Sequence, residues 1–180
     1  DNADGVGVLL GLARYFSQPN TKPARTLLFV GSGGHHSSGM NGPGNLVTMN
    51  ADLLKKAVLV INLEHLAQFQ IDATPAWKTN TGEEPKNFGV SNSSPALVSL
   101  VKQAAERYGF VIRPEVTNSV PGDLGGYAPL NVARIQGIHS GPLYHTSGDT
   151  LDSISVPGLE KAARFYAYLI EQAAKAPKTD

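Results

Sequence analysis

Short apolar runs alternate with amphipathic segments along this 180-residue chain, and this alternation restricts the fold more than any other feature. Residues 26–30 and 57–63 contain one polar residue each, as is typical of strands buried on both faces of a parallel sheet. Residues 110–115 and 133–139 are further strand candidates. Helices alternating with buried strands predict an α/β fold, a three-layer αβα sandwich with a mostly parallel central sheet.

The helices are predicted from apolar residues at spacings of three and four. The clearest begins with Ser94 as N-cap and Pro95 in the first turn, and it ends at Gly109. Residues 67–88 show no strong period, which predicts an edge hairpin or an excursion over the surface. The predicted helices are residues 4–17, 49–56, 94–109 and 159–174.

Composition excludes several classes of function. The 15 Lys and Arg balance 15 Asp and Glu and form no cluster, which argues against nucleic acid as a partner. No apolar run approaches the roughly 20 residues that span a bilayer, so membrane insertion is not predicted. Because the chain has no Cys, a metal site would have to use His, Asp and Glu. The length suits a single domain over residues 1–180.

The five histidines all lie just beyond the carboxyl end of a predicted strand. Ligands of open α/β sheets bind at that edge, so these positions are the first candidates for chemistry. Around His145, hydroxyl and carboxylate groups in residues 143–150 are of the kind that orient metal-binding imidazoles. Two adjacent histidines in a loop are, by themselves, more often without a metal. The candidates at this edge are His35, His36, Glu64, His65, His139 and His145.

Several short motifs resemble zinc-dependent exopeptidases of the bacterial leucyl aminopeptidase type, a family with glutamate carboxypeptidase-like and transferrin-receptor-like members. The opening Asp1-Asn2-Ala3-Asp4-Gly5 resembles the family's D-N-A-[SD]-G segment. The other motifs follow in the family's order and spacing, and the resemblance extends to about residue 174. They are residues 23–30, Gly33-Gly34, Ile61-Asn62-Leu63, Tyr144-His145-Thr146 and Asp149-Thr150.

The resemblance implies a site for two zinc ions, with Asp1 as the bridging ligand. Ligands of the family's G-G-E-E, I-N-L-D and Y-H-T motifs fall on His36, Glu64 and His145. The general base, the first glutamate of G-G-E-E, falls on His35. A substrate pocket is implied at Asp123, where an S-D-H-type segment reads Gly122-Asp123-Leu124, and at Tyr144.

The sequence departs from the family at the positions that carry the chemistry. Both glutamates of G-G-E-E are histidines, and the upstream H-x-D motif is absent from the sequence. One metal position therefore keeps only Asp1 and Glu64, whereas the other keeps Asp1, His36 and His145. Two imidazoles and a carboxylate can hold one zinc with a position open to water. A neutral His35 is a competent base near pH 7.

Two functions stay open at this point. One is a zinc aminopeptidase-like metallohydrolase with one or two zinc ions, which cleaves N-terminal residues from peptides or related amides. The other is a catalytically inactive exopeptidase-like domain that serves as a binding or scaffold module and need not bind zinc. The resemblance also implies that strands of an upstream segment of the same polypeptide precede Asp1, and that the protein is secreted or periplasmic. A serine hydrolase is disfavoured because no G-x-S-x-G elbow is present.

Overall fold

A computed structural model of the chain describes residues 2–34, 36–37, 40–73, 78–83, 86–92, 94–117 and 122–175. In these residues, the central sheet consists of four strands, which are β1 (Leu59–Leu63), β4 (Lys86–Ser91), β5 (Ile112–Val116) and β6 (Ala133–Ile138). Their spatial order is β1-β6-β4-β5. β1 runs parallel to β6 and β4 parallel to β5, whereas β4 and β6 are antiparallel.

A separate antiparallel hairpin consists of β2 (Phe69–Ala73) and β3 (Lys78–Glu83). The hairpin predicted within residues 67–88 is therefore present, but it forms a sheet of its own and does not pair with an edge of the central sheet in the described residues. Helices flank the central sheet, as predicted for a three-layer αβα sandwich with a mostly parallel sheet. No helix in the described ranges is both long and apolar enough to cross a bilayer. The helices are α1 (Ala3–Phe16), α2 (Gly42–Met49), α3 (Ala51–Leu54), α4 (Pro95–Tyr108) and α5 (Val156–Lys175).

The main core lies between the sheet and the layer in which α5 contacts both α1 and α4. Phe88 of β4 packs edge-on against Phe165 of α5, with ring centroids 5.5 Å apart. A smaller core joins α2 and α3 to Leu130, in the loop before β6. The main core consists of Val8, Leu12, Phe16, Leu66, Phe88, Val90, Val101, Ala104, Phe110, Ile135, Ala162, Phe165, Tyr166 and Leu169.

The predicted strand at residues 26–30 is wrong: none of the described strands pairs with this segment. Its side chains nevertheless alternate, because Leu27 and Phe29 pack against the main core while Leu28 is 57% exposed. A strand needs a hydrogen-bonded neighbour, and an apolar run without one remains extended chain. His36 therefore follows an extended segment and not a strand of the sheet.

Further predictions differ from the structure. The helix expected at residues 49–56 is shorter, since α3 covers only Ala51–Leu54. Helix α2 was not predicted, and it begins at Gly42, where the side chain of Asn41 accepts a hydrogen bond from the amide of Gly44 at 2.9 Å. The central strand β4 was missed because its charged and polar first residues hide the buried Phe88 and Val90. The remaining predicted helices and strands are observed with ends shifted by a few residues.

Candidate functional site

The start of α1 is joined to the turn after β1 by two side chains. Asn2 donates from Nδ2 to the carbonyl of Leu63 at 3.0 Å, and its Oδ1 accepts from the amide of His65 at 3.1 Å. Asp4 is only 8% exposed, and its Oδ2 accepts from the amides of Leu66 and Ala67 at 2.7 and 2.8 Å. The turn 63–67 is therefore fixed by hydrogen bonds at four of its backbone groups.

His65 lies in this turn with a φ of 49°, in the left-handed region that residues other than glycine seldom adopt. Its Nδ1 lies 2.5 Å from the carbonyl oxygen of His139, just beyond β6. Because β1 and β6 are parallel neighbours, their carboxyl ends bring the two segments together. The ring of His65 also meets the ring of Tyr144 at 5.3 Å between centroids.

The loop after β6 brings Tyr144 and His145 against His36. The ring of Tyr144 stacks on that of His145 with centroids 3.7 Å apart, and His145 has a φ of 57°. The rings of His36 and His145 meet edge to face, with centroids 4.6 Å apart. Left-handed backbone at non-glycine residues is concentrated at functional sites, where the surroundings must offset its cost of about 1–3 kcal/mol.

Glu64 is 5% exposed and follows β1. Its Oε2 accepts from Nδ2 of Asn62 at 2.7 Å, and the same nitrogen donates to Oε1 of Gln136 at 2.7 Å. Gly122 covers the carboxylate so closely that a Cβ at that position would lie 2.4 Å from Oε2. Gly122 also has a φ of 71°, so both the contact and the backbone require glycine.

Two cavities flank these residues. One, of about 220 Å³, is lined by His65, Tyr144 and the start of α1. The other, of about 520 Å³, is lined by Asp123 and the N-terminal part of α2. Burial, and after it the negative charge of Asp123, raises the pKa of the Tyr127 phenol. The predicted pocket residues Asp123 and Tyr144 therefore line two different cavities.

A family model for peptidase family M28 matches residues 1–170. The chain belongs to peptidase family M28. Comparison with curated protein sequences gives no significant match. Membership in family M28 agrees with the resemblance of the short motifs to zinc-dependent exopeptidases.

Solved structures of aminopeptidases share the fold of this M28 chain. An aminopeptidase from Aneurinibacillus sp. strain AM-1 is 22% identical with a TM-score of 0.71, over 99% of this chain and 40% of that one. LapA aminopeptidase of Legionella pneumophila is 14% identical with a TM-score of 0.72, over 98% of this chain and 47% of that one. BSAP, a zinc aminopeptidase from Bacillus subtilis, is 20% identical with a TM-score of 0.67, over 98% of this chain and 43% of that one. The chain thus spans less than half the length of these relatives.

Zinc, which the resemblance implied, fits the described residues of the M28 chain in part. His36 and His145 offer two imidazoles at one place, and nitrogen is a preferred zinc donor. Within the described ranges, no three His, Asp or Glu side chains are grouped so that they could hold a metal ion. Glu64 lies in these ranges, so it does not complete a set of three ligands there. The predicted ligand Asp1 and the predicted base His35 lie outside the described residues.

Sequence reasoning missed several residues that shape the site of this M28 chain. Asn2 and Asp4 lay inside a recognised motif, but polar residues in a first helical turn are usually caps for the helix itself. Asn62 lay inside a predicted strand and inside the Ile61-Asn62-Leu63 motif, but it was assigned no role of its own. The hydrogen-bond partners of Asn2 and Asp4 lie more than sixty residues away in sequence, so local patterns could not identify them. The signal that was present is the pair of polar side chains at positions 2 and 4, at the start of a helix.

Proposed function

We propose that this M28 chain is an aminopeptidase-like metallohydrolase domain that acts on the amino termini of peptides. One metal ion, zinc by its preference for nitrogen donors, would be held by His36, His145 and Asp1. The contact of the two imidazoles, with centroids 4.6 Å apart, is the observation that carries this proposal. The family and the aminopeptidase fold support a peptide as the substrate.

A metal ion bound there would supply Lewis acidity, with which the scissile carbonyl could be polarised and a water activated for attack. The chain's own residues prepare the place. Tyr144 stacks on His145 and fixes the plane of its ring, as the neighbours of metal-binding histidines generally do. His35, next to His36 in sequence, is the proposed base that accepts a proton from the attacking water.

Asp123 is the proposed partner of the substrate's charged amino group. Among the described residues that line the cavity of about 520 Å³, Asp123 alone carries a formal charge. A carboxylate in a partly enclosed cavity attracts an ammonium group and places the first peptide bond at a set distance from it. Restriction of cleavage to the terminal residue would follow from that distance.

The metal site can be tested by calorimetric titration of the purified protein with Zn²⁺ and Co²⁺. We expect binding of one ion, and a loss of affinity of at least about tenfold in His36→Ala and in His145→Ala. His139→Ala is the matched control, because His139 contacts His65 through its backbone carbonyl. Equal binding by all variants, or no binding by the wild-type protein, would contradict the site.

Hydrolysis is tested separately with a panel of aminoacyl amides and short peptides, with and without added metal. Turnover that depends on metal and is lost in His145→Ala supports the aminopeptidase. Blocking the substrate's amino group by acetylation should abolish turnover if Asp123 recognises that group. Metal binding without any turnover would contradict the hydrolase and leave the metal site standing.

A second candidate, a catalytically inactive binding or scaffold domain, is favoured by one observation. Histidine occupies both positions that the resemblance assigns to the glutamates of G-G-E-E, His35 and His36. Loss of the general base alone typically removes about 10²–10⁴-fold in rate. For this candidate we expect binding of peptides with free amino termini, without cleavage, in the same panel. Cleavage that His145→Ala removes would exclude it.

A further inference from the structure

The first turn of α1 uses its polar side chains in an unusual way. Asn and Asp at a helix start normally accept hydrogen bonds from amides of the same helix. Asn2 makes no such bond to α1, and both its hydrogen bonds go to the turn after β1. Asp4 accepts from the amide of Gly5 in α1 through Oδ1 at 2.7 Å, but through Oδ2 it binds the amides of Leu66 and Ala67, which are 62 and 63 residues away.

These bonds determine the shape of the turn. Residues 63–67 have little conformational freedom. Asn2 holds the backbone at Leu63 and His65, and Asp4 holds it at the next two residues, 66 and 67. His65 is thereby kept at its disfavoured positive φ. Leu66 and Ala67 are fully buried, so water cannot replace Asp4 as the acceptor for their amides.

The turn is connected to the imidazole pair through ring contacts. His65 meets the ring of Tyr144 at 5.3 Å, and Tyr144 stacks on His145 at 3.7 Å. His145 then meets His36 at 4.6 Å. A displacement of His65 would therefore remove one of the groups that determine where the ring of Tyr144, and with it His145, is placed.

We propose that Asn2 and Asp4 are positioning residues, which set the ring of His145 through His65 and Tyr144. The inference rests on the proposed function only where it treats His145 as a metal ligand. It predicts that damage to the hydrogen bonds at the start of α1 alters the position of the His145 ring.

The test is the ¹H–¹³C spectrum of the histidine Cε1 groups in the metal-free protein. The five histidines give few enough signals to assign by single His→Gln variants. Asp4→Ala removes both carboxylate oxygens, so the buried amides of Leu66 and Ala67 lose their acceptor. We expect the signals of His65 and His145 to shift or broaden, and the thermal unfolding transition to stay cooperative.

Asp52→Ala is the matched control, because Asp52 is an aspartate on the exposed side of α3, with a side chain 99% exposed. Its spectrum should coincide with that of the wild-type protein. Asn2→Ala is the second variant, and it decides the question if Asp4→Ala does not fold. Unchanged His145 signals in a folded Asp4→Ala, or in Asn2→Ala, would overturn the proposal.

Cobalt binding gives a second reading on protein that has been shown to fold. If the wild-type protein binds Co²⁺, we expect Asp4→Ala to bind it about tenfold more weakly and with a changed visible absorption spectrum. Failure of the wild-type protein to bind Co²⁺ would count against the proposed metal site. The spectra of the metal-free protein would still decide the positioning role.

Discussion

Helices α1 and α4 both have 14 residues and both pack against α5, but they begin in different ways. The N-cap of α4 is local: Ser94 accepts from the amide of Leu97 at 3.4 Å, and Pro95 follows. At the start of α1, Asn2 and Asp4 instead bind the turn after β1. The N-cap of α4 thus satisfies an amide of its own helix, whereas the first turn of α1 provides side chains that hold the backbone of a candidate site.

The largest expected effect is that of Asp4→Ala. Two fully buried amides, those of Leu66 and Ala67, lose their acceptor, and an unsatisfied buried donor costs about 1–3 kcal/mol. We expect a loss of about 3 kcal/mol in the free energy of unfolding, measured by urea denaturation. Asp52→Ala should unfold like the wild-type protein, and a loss below about 1 kcal/mol in Asp4→Ala would refute the assigned role.

Gly5→Ala should have the next largest effect. A Cβ at Gly5 would lie 2.3 Å from both Oδ1 of Asn2 and the carbonyl oxygen of Leu63. Overpacking of this kind costs about 1–3 kcal/mol, so we expect a loss of about 2 kcal/mol. Gly7→Ala, in the same helix, meets nothing within 4 Å and should instead stabilise the protein by about 0.5–1 kcal/mol. Equal effects in both variants would remove the distinction between the two positions.

A third prediction concerns Tyr166, in the helix that both α1 and α4 contact. Burial, and after it the negative charge of Asp4, raises the pKa of its phenol well above the ordinary value of 10. Above pH 10 the unfolded chain releases this proton and the folded chain keeps it, so the folded state loses stability as the pH rises. The loss attributable to Tyr166 should approach about 1.4 kcal/mol per pH unit.

Urea denaturation of the wild-type protein and of Tyr166→Phe between pH 9 and 11 measures this loss. Because other groups titrate in the same range, the difference between the two proteins is the quantity to compare. We expect Tyr166→Phe to depend less steeply on pH. Identical slopes would mean that Tyr166 titrates alike in both states.

Ser94→Ala should have the smallest effect. Loss of a serine N-cap costs about 0.5–2 kcal/mol, and the length of the bond, 3.4 Å, favours a value near 0.5 kcal/mol. Ser94→Asp should retain most of the stability, since Asp is an equally good N-cap. If Ser94→Ala cost as much as Asp4→Ala in the same denaturation experiments, the contrast between the two helix starts would fail.

Much of the fold could be predicted because its signals are local. The stripe of α4 between Ser94 and Gly109 and the apolar runs of β1 and β6 show where these elements form. The run at residues 26–30 is as apolar as β1, but it has no pairing partner among the described strands. Strand β4 was missed because it begins with a buried lysine, Lys86. Pairing and burial of single residues depend on neighbours that no local pattern specifies.

The candidate site could be predicted only in outline. The position of the histidines beyond predicted strands suggested that they lie near one another, and the structure brings the rings of His36 and His145 into contact, although His36 follows an extended segment and not a strand. It does not group Glu64 with them in a set of three metal ligands among the described residues. The carboxylate of Glu64 is instead enclosed by Asn62 and Gly122, which are contacts made only after folding.

The sequence by itself determined the α/β class, the membership in family M28 and the histidines in place of the expected glutamates, because motif order and residue identity are properties of the chain. The tertiary structure decided which of these residues meet. The parallel pairing of β1 and β6 places the turn 63–67 beside the loop of Tyr144 and His145. Asn2 and Asp4 hold that turn, since buried amides must find an acceptor within the fold.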